Sequence, residues 1–176
     1  CPPTFGMYSF DAELNAARGI EVPRNADFSL NMDGIRKAVE MHNPKLFFVT
    51  SPNNPDGSMI SAEVMDELLS LPTLIVLDEA YIEFAGEKLG ADLSRIREVP
   101  VRENLSVLRT LSKWAVLAGL RIGYGAFPLW LMPTLWKSKQ PYNVNVAASV
   151  AAQVSLEHTD ELEKVVELLK QERKRL

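Results

Sequence analysis

Helix-like and strand-like segments take turns along this chain, and that alternation restricts it to an α/β fold in which helices layer a sheet. "DAELNAARGIEVP" reads as a short helix closed by Gly19 and followed by an extended "GIEVPR" expected as a strand, because glycine just past the last periodic position stops a helix. "SLNMDGIRKAVEMHNP" spaces Ile35, Ala38, Val39 and Met41 as a helix does and is halted at Asn43-Pro44. The strand "KLFFVTS" follows. "SAEVMDELLSLP" is amphipathic with Ser61 as its N-cap, and "TLIVLDEA" is the near-continuous apolar run of a buried strand. "ENLSVLRTLSK" and "LRIGYGAF" supply two more strands. The link between them is too short for a helical crossover, so they should pair antiparallel in a mixed sheet. "PTLWKSK", "NVAASVAAQVSLEH" and the final "DELEKVVELLKQERKRL" supply helices. No repeat, low-complexity tract or Gly/Ser linker divides the chain, and residues 1–176 are expected to form a single domain.

Charge and composition remove several function classes. A net charge of −4 and pI near 5.3 give no basic footprint for nucleic acid. The single cysteine, Cys1, permits no disulfide framework, which suits a reducing compartment. No window reaches the roughly 18–20 unbroken apolar residues of a membrane span, and no signal peptide opens the chain. A soluble intracellular protein with no membrane partner is expected. The sequence begins at "CPPTFGMY" without methionine and ends inside a charged helical pattern, as an internal piece of a longer protein would.

Polar residues collect at the expected strand ends, where open α/β sheets bind ligands. "FFVTSPNNPDGS" runs into Asn53 and Asn54. Pro55, Asp56 and Gly57 meet the dihedral needs of a turn, for which one asparagine suffices, so the second amide needs another partner. "TLIVLD" ends in Asp78, whose carboxylate requires a cation or several donors after four apolar residues. Capping the next helix is an equally good use of it. Tyr81, three residues on, fits a core by itself. "LSVLRTLSK" ends in Thr110, Ser112 and Lys113. Desolvation can turn such a lysine into a nucleophile, and a solvated loop lysine is the plain alternative.

Arg121 lies eight residues beyond Lys113 among Gly119, Gly123 and Gly125, which leave room for a backbone or an anion. Its planar fork suits a phosphate. The glycines lack dinucleotide-fingerprint spacing, which disfavours a nicotinamide cofactor. His42 and His158 lack ligand spacing, so neither a metal nor histidine catalysis is expected. An amine, a carboxylate, ring-oxygen donors, hydroxyls and a guanidinium together suit pyridoxal 5'-phosphate.

The motifs "PPTFGMY", "SPNNPDG", "VLDEAYIEF", "RTLSK", "LAGLRIGYGAFP" and "KQPYNV" cover residues 2 to about 150. In this order and near this spacing the chain resembles the fold-type I pyridoxal-phosphate aminotransferases, and among them most closely the histidinol-phosphate aminotransferase family, particularly its plant and algal members. The resemblance implies the three-layer α/β/α large domain of that family, with a mostly parallel mixed sheet. Lys113 would carry the cofactor as an internal aldimine and shuttle the substrate's α-proton. Asp78 would hold the pyridine nitrogen protonated, Asn54 and Tyr81 would bond the ring's 3-oxygen, and Ser112, Arg121 and Thr110 would hold the phosphate. Phe5 would stack on the ring where relatives often carry tyrosine, with Tyr8 the weaker candidate.

Asp56 departs from the family's usual threonine, and Trp114 from a small residue; core packing is the expected use of Trp114. The implied reaction is a ping-pong exchange between histidinol phosphate with 2-oxoglutarate and imidazole-acetol phosphate with glutamate, in a homodimer. The implied compartment is the cytoplasm, or a plastid stroma in a plant or alga. An aromatic aminotransferase, a threonine-phosphate decarboxylase, a cofactor-sensing module of a transcription regulator and a purely structural α/β unit are the alternatives.

Overall fold

Each helix-to-strand crossover ends at residues suited to it in the computed structural model, which describes residues 1–176. After α1 (Met7–Leu14), α2 (Met32–His42) starts where the Asn31 side chain accepts the Gly34 N–H at 2.9 Å. It stops where Asn43 turns left-handed, φ 44°, ahead of Pro44. Strand β1 (Leu46–Thr50) follows, then α3 (Ala62–Leu69), capped by Ser61 Oγ, which accepts the Val64 N–H at 3.3 Å. Strands β2 (Leu74–Asp78), β3 (Leu105–Thr110) and β4 (Gly123–Ala126) complete the sheet, and α4 (Met132–Ser138), α5 (Val146–Glu157) and α6 (Thr159–Arg175) close the chain. No helix is long and apolar enough to cross a membrane.

The sheet order is β1-β2-β3-β4, with the first two pairings parallel and the last antiparallel, as the short β3–β4 link requires. Alternate strand residues Val49, Ile75, Leu77, Leu105 and Val107 face α2 and α3, burying Ile35, Val39, Met65, Leu68 and Leu69 against them. Each such aliphatic side chain contributes about 1.5–3 kcal/mol by leaving water. A second cluster joins Leu111, Trp114 and Ala115 to Ala152 of α5 and Val166 of α6, so Trp114 packs in a core as expected.

Two expectations near the chain start are corrected. Helix α1 ends at Leu14, well before Gly19, because Ala16 takes a positive φ of 53°. "GIEVPR" forms no strand: the Arg24 N–H bonds the Pro2 carbonyl at 2.8 Å, and proline returns no donor with which to continue a ladder.

Beyond β2 the chain folds back through two short 3₁₀ turns, Ile82–Phe84 and Lys88–Gly90. Gly90 has φ +71°, and a Cβ there would sit 2.1 Å from the Ile82 carbonyl oxygen. Gly90→Ala is therefore expected to cost roughly 1–3 kcal/mol of stability, read by chemical denaturation; a variant as stable as the parent would remove this close approach from the fold.

Candidate active site

Register brings three loops together, since Thr50 pairs with Asp78 across β1 and β2, and Asp78 with Leu108 across β2 and β3. The loop after β1 separates its two amides. Asn53 is buried and accepts from Thr50 Oγ1 (2.5 Å) and Thr4 Oγ1 (2.9 Å), while its Nδ2 donates to the Pro3 carbonyl (3.2 Å) and to the Asp56 carboxylate. Asp56 also accepts the Ser58 N–H at 3.1 Å, which fixes the turn and accounts for an aspartate at this place. Asn53 thus belongs to the scaffold. Asn54 is only partly exposed, and its side chain makes no hydrogen bond within the chain.

Of the two kinds of partner expected for Asp78, a cation or several donors, the structure supplies donors. Two neutral donors meet the carboxylate: the Tyr8 hydroxyl at 2.5 Å to Oδ2 and the Ala80 N–H at 2.9 Å to Oδ1. The second is a local turn contact two residues along the chain, and Asp78 does not cap the next helix: that 3₁₀ turn, Ile82–Phe84, starts at Tyr81 with no side-chain cap. Burial, reinforced by the Asp78 charge and hydrogen bond, pushes the Tyr8 phenol well above its ordinary range, so it stays a donor. The Tyr8 ring stacks on Phe48 of β1 with centroids 5.3 Å apart, and Phe5 meets Tyr8 edge-on at 5.7 Å. Phe5 itself is exposed.

Lys113 is exposed, so of the two readings of this lysine, desolvated nucleophile or solvated loop residue, the chain by itself shows the second environment. The turn after β3 directs Leu111, Trp114 and Ala115 inward and leaves Lys113 facing out. Its Nζ lies 5.5 Å from the centroid of the Tyr81 ring, close enough for a cation–π contact. Thr110 Oγ1 accepts the Ser112 N–H at 3.1 Å. Arg121 is exposed and left-handed, φ 54°, with its guanidinium on the Ala118 carbonyl at 2.9 Å. Of the surrounding glycines, Gly123 admits a backbone: a Cβ there would stand 2.6 Å from the Arg109 carbonyl oxygen. Gly119 faces open space.

A cleft of about 970 Å³ opens between the loops after β1 and β2 and the helix α6, and of the candidate residues only Asn54 and Tyr81 line it; Phe5, Asp78, Thr110, Ser112, Lys113 and Arg121 do not. Asn54 and Tyr81 line one wall, with Glu167, Lys170 and Arg173 of α6 opposite. Lys170 Nζ donates to the Gly86 carbonyl at 2.9 Å and so ties α6 to the loop after β2. No cluster of His, Cys, Asp and Glu suits a metal ion.

Sequence reading missed an ion network beneath the site. Glu79 and Glu83, both buried, flank Arg109: its Nη2 bonds Glu83 Oε1 at 2.8 Å and its Nε lies 3.9 Å from Glu79 Oε2. Ser94 Oγ and the Arg95 N–H also donate to Glu79, at 2.6 and 2.8 Å. Burial pushes both carboxyls up despite Arg109, that of Glu83 to about 7. The available signal was two acids four residues apart in "DEAYIE", opposite an arginine inside an apolar strand.

The family model for aminotransferase class I and II matches residues 1–176. The chain belongs to the class I and II aminotransferases. This aminotransferase chain is 57% identical over all 176 residues to histidinol-phosphate aminotransferase 1, chloroplastic, of Arabidopsis thaliana, and spans 41% of that protein's length. Among solved structures, the Sinorhizobium meliloti histidinol-phosphate aminotransferase in complex with pyridoxal-5'-phosphate superposes with a TM-score of 0.87 at 30% identity, covering 98% of this chain and 47% of that one. The Clostridium acetobutylicum histidinol-phosphate aminotransferase gives 0.89 at 25% identity, covering 98% of this chain and 52% of that one. The fold is thus the α/β fold of that family, and the chain spans about half or less of each relative's length.

Proposed function

We propose that residues 1–176 form the pyridoxal-phosphate-binding large domain of a longer homodimeric enzyme. It exchanges the amino group between histidinol phosphate with 2-oxoglutarate and imidazole-acetol phosphate with glutamate. One observation carries this reading: at adjoining strand ends an amide, a phenol and an amine, those of Asn54, Tyr81 and Lys113, make no side-chain hydrogen bonds, beside a carboxylate held only by neutral donors. Groups left unengaged in this way fit an aldehyde cofactor with a ring nitrogen, a phenolic oxygen and a phosphate. The identity to the Arabidopsis relative, spread over the whole chain, supports the substrate. The chloroplastic location named for the plant relatives supports a plastid stroma.

Pyridoxal phosphate, when bound, supplies the electron sink that makes the substrate's α-proton labile. The chain's own residues do the rest. Asp78 holds a proton at the ring nitrogen. Asn54 and Tyr81 donate to the phenolic oxygen, while Ser112, Thr110 and Arg121 bind the phosphate. Phe5 covers a face of the ring. Lys113 would hold the cofactor at its aldehyde carbon and, as the free amine once the substrate's amino group takes its place there, would move the proton at the substrate α-carbon. Leu129, Trp130, Trp136 and Tyr142 are exposed large apolar side chains, which the second subunit would cover.

The test is a half-reaction of the full-length enzyme loaded with pyridoxal phosphate, following cofactor absorbance after histidinol phosphate, phenylalanine or threonine phosphate is added separately. Rapid loss of the absorbance with histidinol phosphate alone is the expected result. A preference for either rival amine would overturn the substrate while leaving the cofactor site in place.

A further inference from the structure

We propose that Tyr8 is a positioning residue that aims the Asp78 carboxylate at the cofactor's ring nitrogen and couples that contact to the segment bearing Phe5. The proposal deepens the reading above and rests on its placement of Asp78.

The geometry is specific. Asp78 has two carboxylate oxygens, and each already holds one donor from this chain: Oδ1 the Ala80 N–H, Oδ2 the Tyr8 hydroxyl. The first is a local bond two residues along the backbone, which by itself leaves the carboxylate free to swing about that contact. The second comes from 70 residues away and fixes the other oxygen. A carboxylate oxygen accepts more than one hydrogen bond, so both contacts persist when a ring N–H arrives.

Tyr8 is itself held from two sides. Its ring lies nearly parallel to Phe48, at 23°, and Phe48 pairs in register with Val76, two residues before Asp78 on β2. Helix α1 buries none of its residues, so packing alone does not secure it to the sheet. The segment leading into α1 is moored at Thr4, which bonds Asn53 and approaches Thr50, and at Tyr8, which bonds Asp78. Phe5 lies between these moorings with its ring against Tyr8. One hydroxyl therefore sets both the angle of the carboxylate and the place of the ring-covering phenylalanine.

Removing the hydroxyl has a definite chemical consequence. With one donor fewer, Oδ2 becomes a better proton acceptor, and the proton shared with the ring nitrogen shifts toward the carboxylate. The experiment loads full-length enzyme with pyridoxal phosphate carrying nitrogen-15 in the ring and records the ring-nitrogen chemical shift for the parent, Tyr8→Phe and Asp78→Asn. It also measures cofactor dissociation from each.

The parent should show a protonated ring nitrogen and Asp78→Asn a neutral one. Tyr8→Phe should lie between them, with a dissociation constant raised roughly tenfold. Phe48→Leu, which keeps the hydroxyl but loosens the stack, should move the shift in the same direction by less, and it serves if Tyr8→Phe does not fold. A parental shift and affinity in Tyr8→Phe, with Asp78→Asn displaced, would overturn the role of Tyr8 alone. A parental shift in Asp78→Asn would overturn the placement of Asp78 and this proposal with it.

Discussion

Lys113→Ala in the full-length enzyme should lower transamination by about 10³–10⁴-fold or more, because in the proposed site Lys113 is both the covalent anchor of the cofactor and the base at the α-carbon. Lys113 is exposed, with its Nζ 5.5 Å from the centroid of the Tyr81 ring, so its removal leaves no cavity in the core. Stability should therefore stay near the parent's, within the roughly 0.5 kcal/mol typical of surface changes. The loss is then one of chemistry rather than of folding. After borohydride treatment, mass spectrometry should find the cofactor on the peptide containing residue 113 in the parent and nowhere in the variant. Turnover within tenfold of the parent would remove Lys113 from the reaction.

Arg109→Met should give the largest loss of stability. It preserves the buried aliphatic stem but strands Glu79 and Glu83, both almost wholly inaccessible, without their cation. Breaking one side of a buried ion network costs about 3–5 kcal/mol. The loss should also depend on pH. Burial raises the Glu83 carboxyl from its ordinary 4.5 to about 7, with Arg109 pulling it partly back.

A carboxyl that is raised on folding keeps a proton which the unfolded chain releases, so its contribution to stability is full below 4.5 and is lost as pH rises through about 7. The parent should gain stability between pH 8 and pH 6. In Arg109→Met both carboxyls are pushed higher still, and the deficit should widen with rising pH. Denaturant titrations at the two pH values check this, with Glu83→Gln as the control. If Glu83→Gln kept the parent's pH dependence, the titrating group would lie elsewhere.

Much of the fold was legible because its rules are local. Period-2 and period-3.6 patterns, Ser61 as a cap, Asn43-Pro44 as a stop and a short β3–β4 link are each written within a few residues, and all appear in the structure. The extended "GIEVPR" was misread because strand propensity does not say whether a partner strand is near, and Pro2 is a poor one. Around the site, the residue types at the strand ends could be read but their satisfaction could not. Asp78 plainly needed partners, yet nothing near it in sequence signals a phenol 70 residues upstream. For Lys113 the sequence left burial and exposure open, because a lysine just past an apolar strand suits either, and the turn settles it by sending Trp114 inward. The Glu79–Arg109–Glu83 network escaped notice for the same reason, since its members come from separate segments.

The unequal fates of Asn53 and Asn54 bear on how variants of such a protein would be sorted. Asn53 is tied by four hydrogen-bonded contacts to the chain start and its own turn, so its loss falls on the amount of folded protein in a cell. Asn54 has no such ties and, in the proposed site, meets only the cofactor. A library scored by protein abundance would therefore register the first asparagine and pass over the second, whereas one scored by growth without supplied histidine would register both.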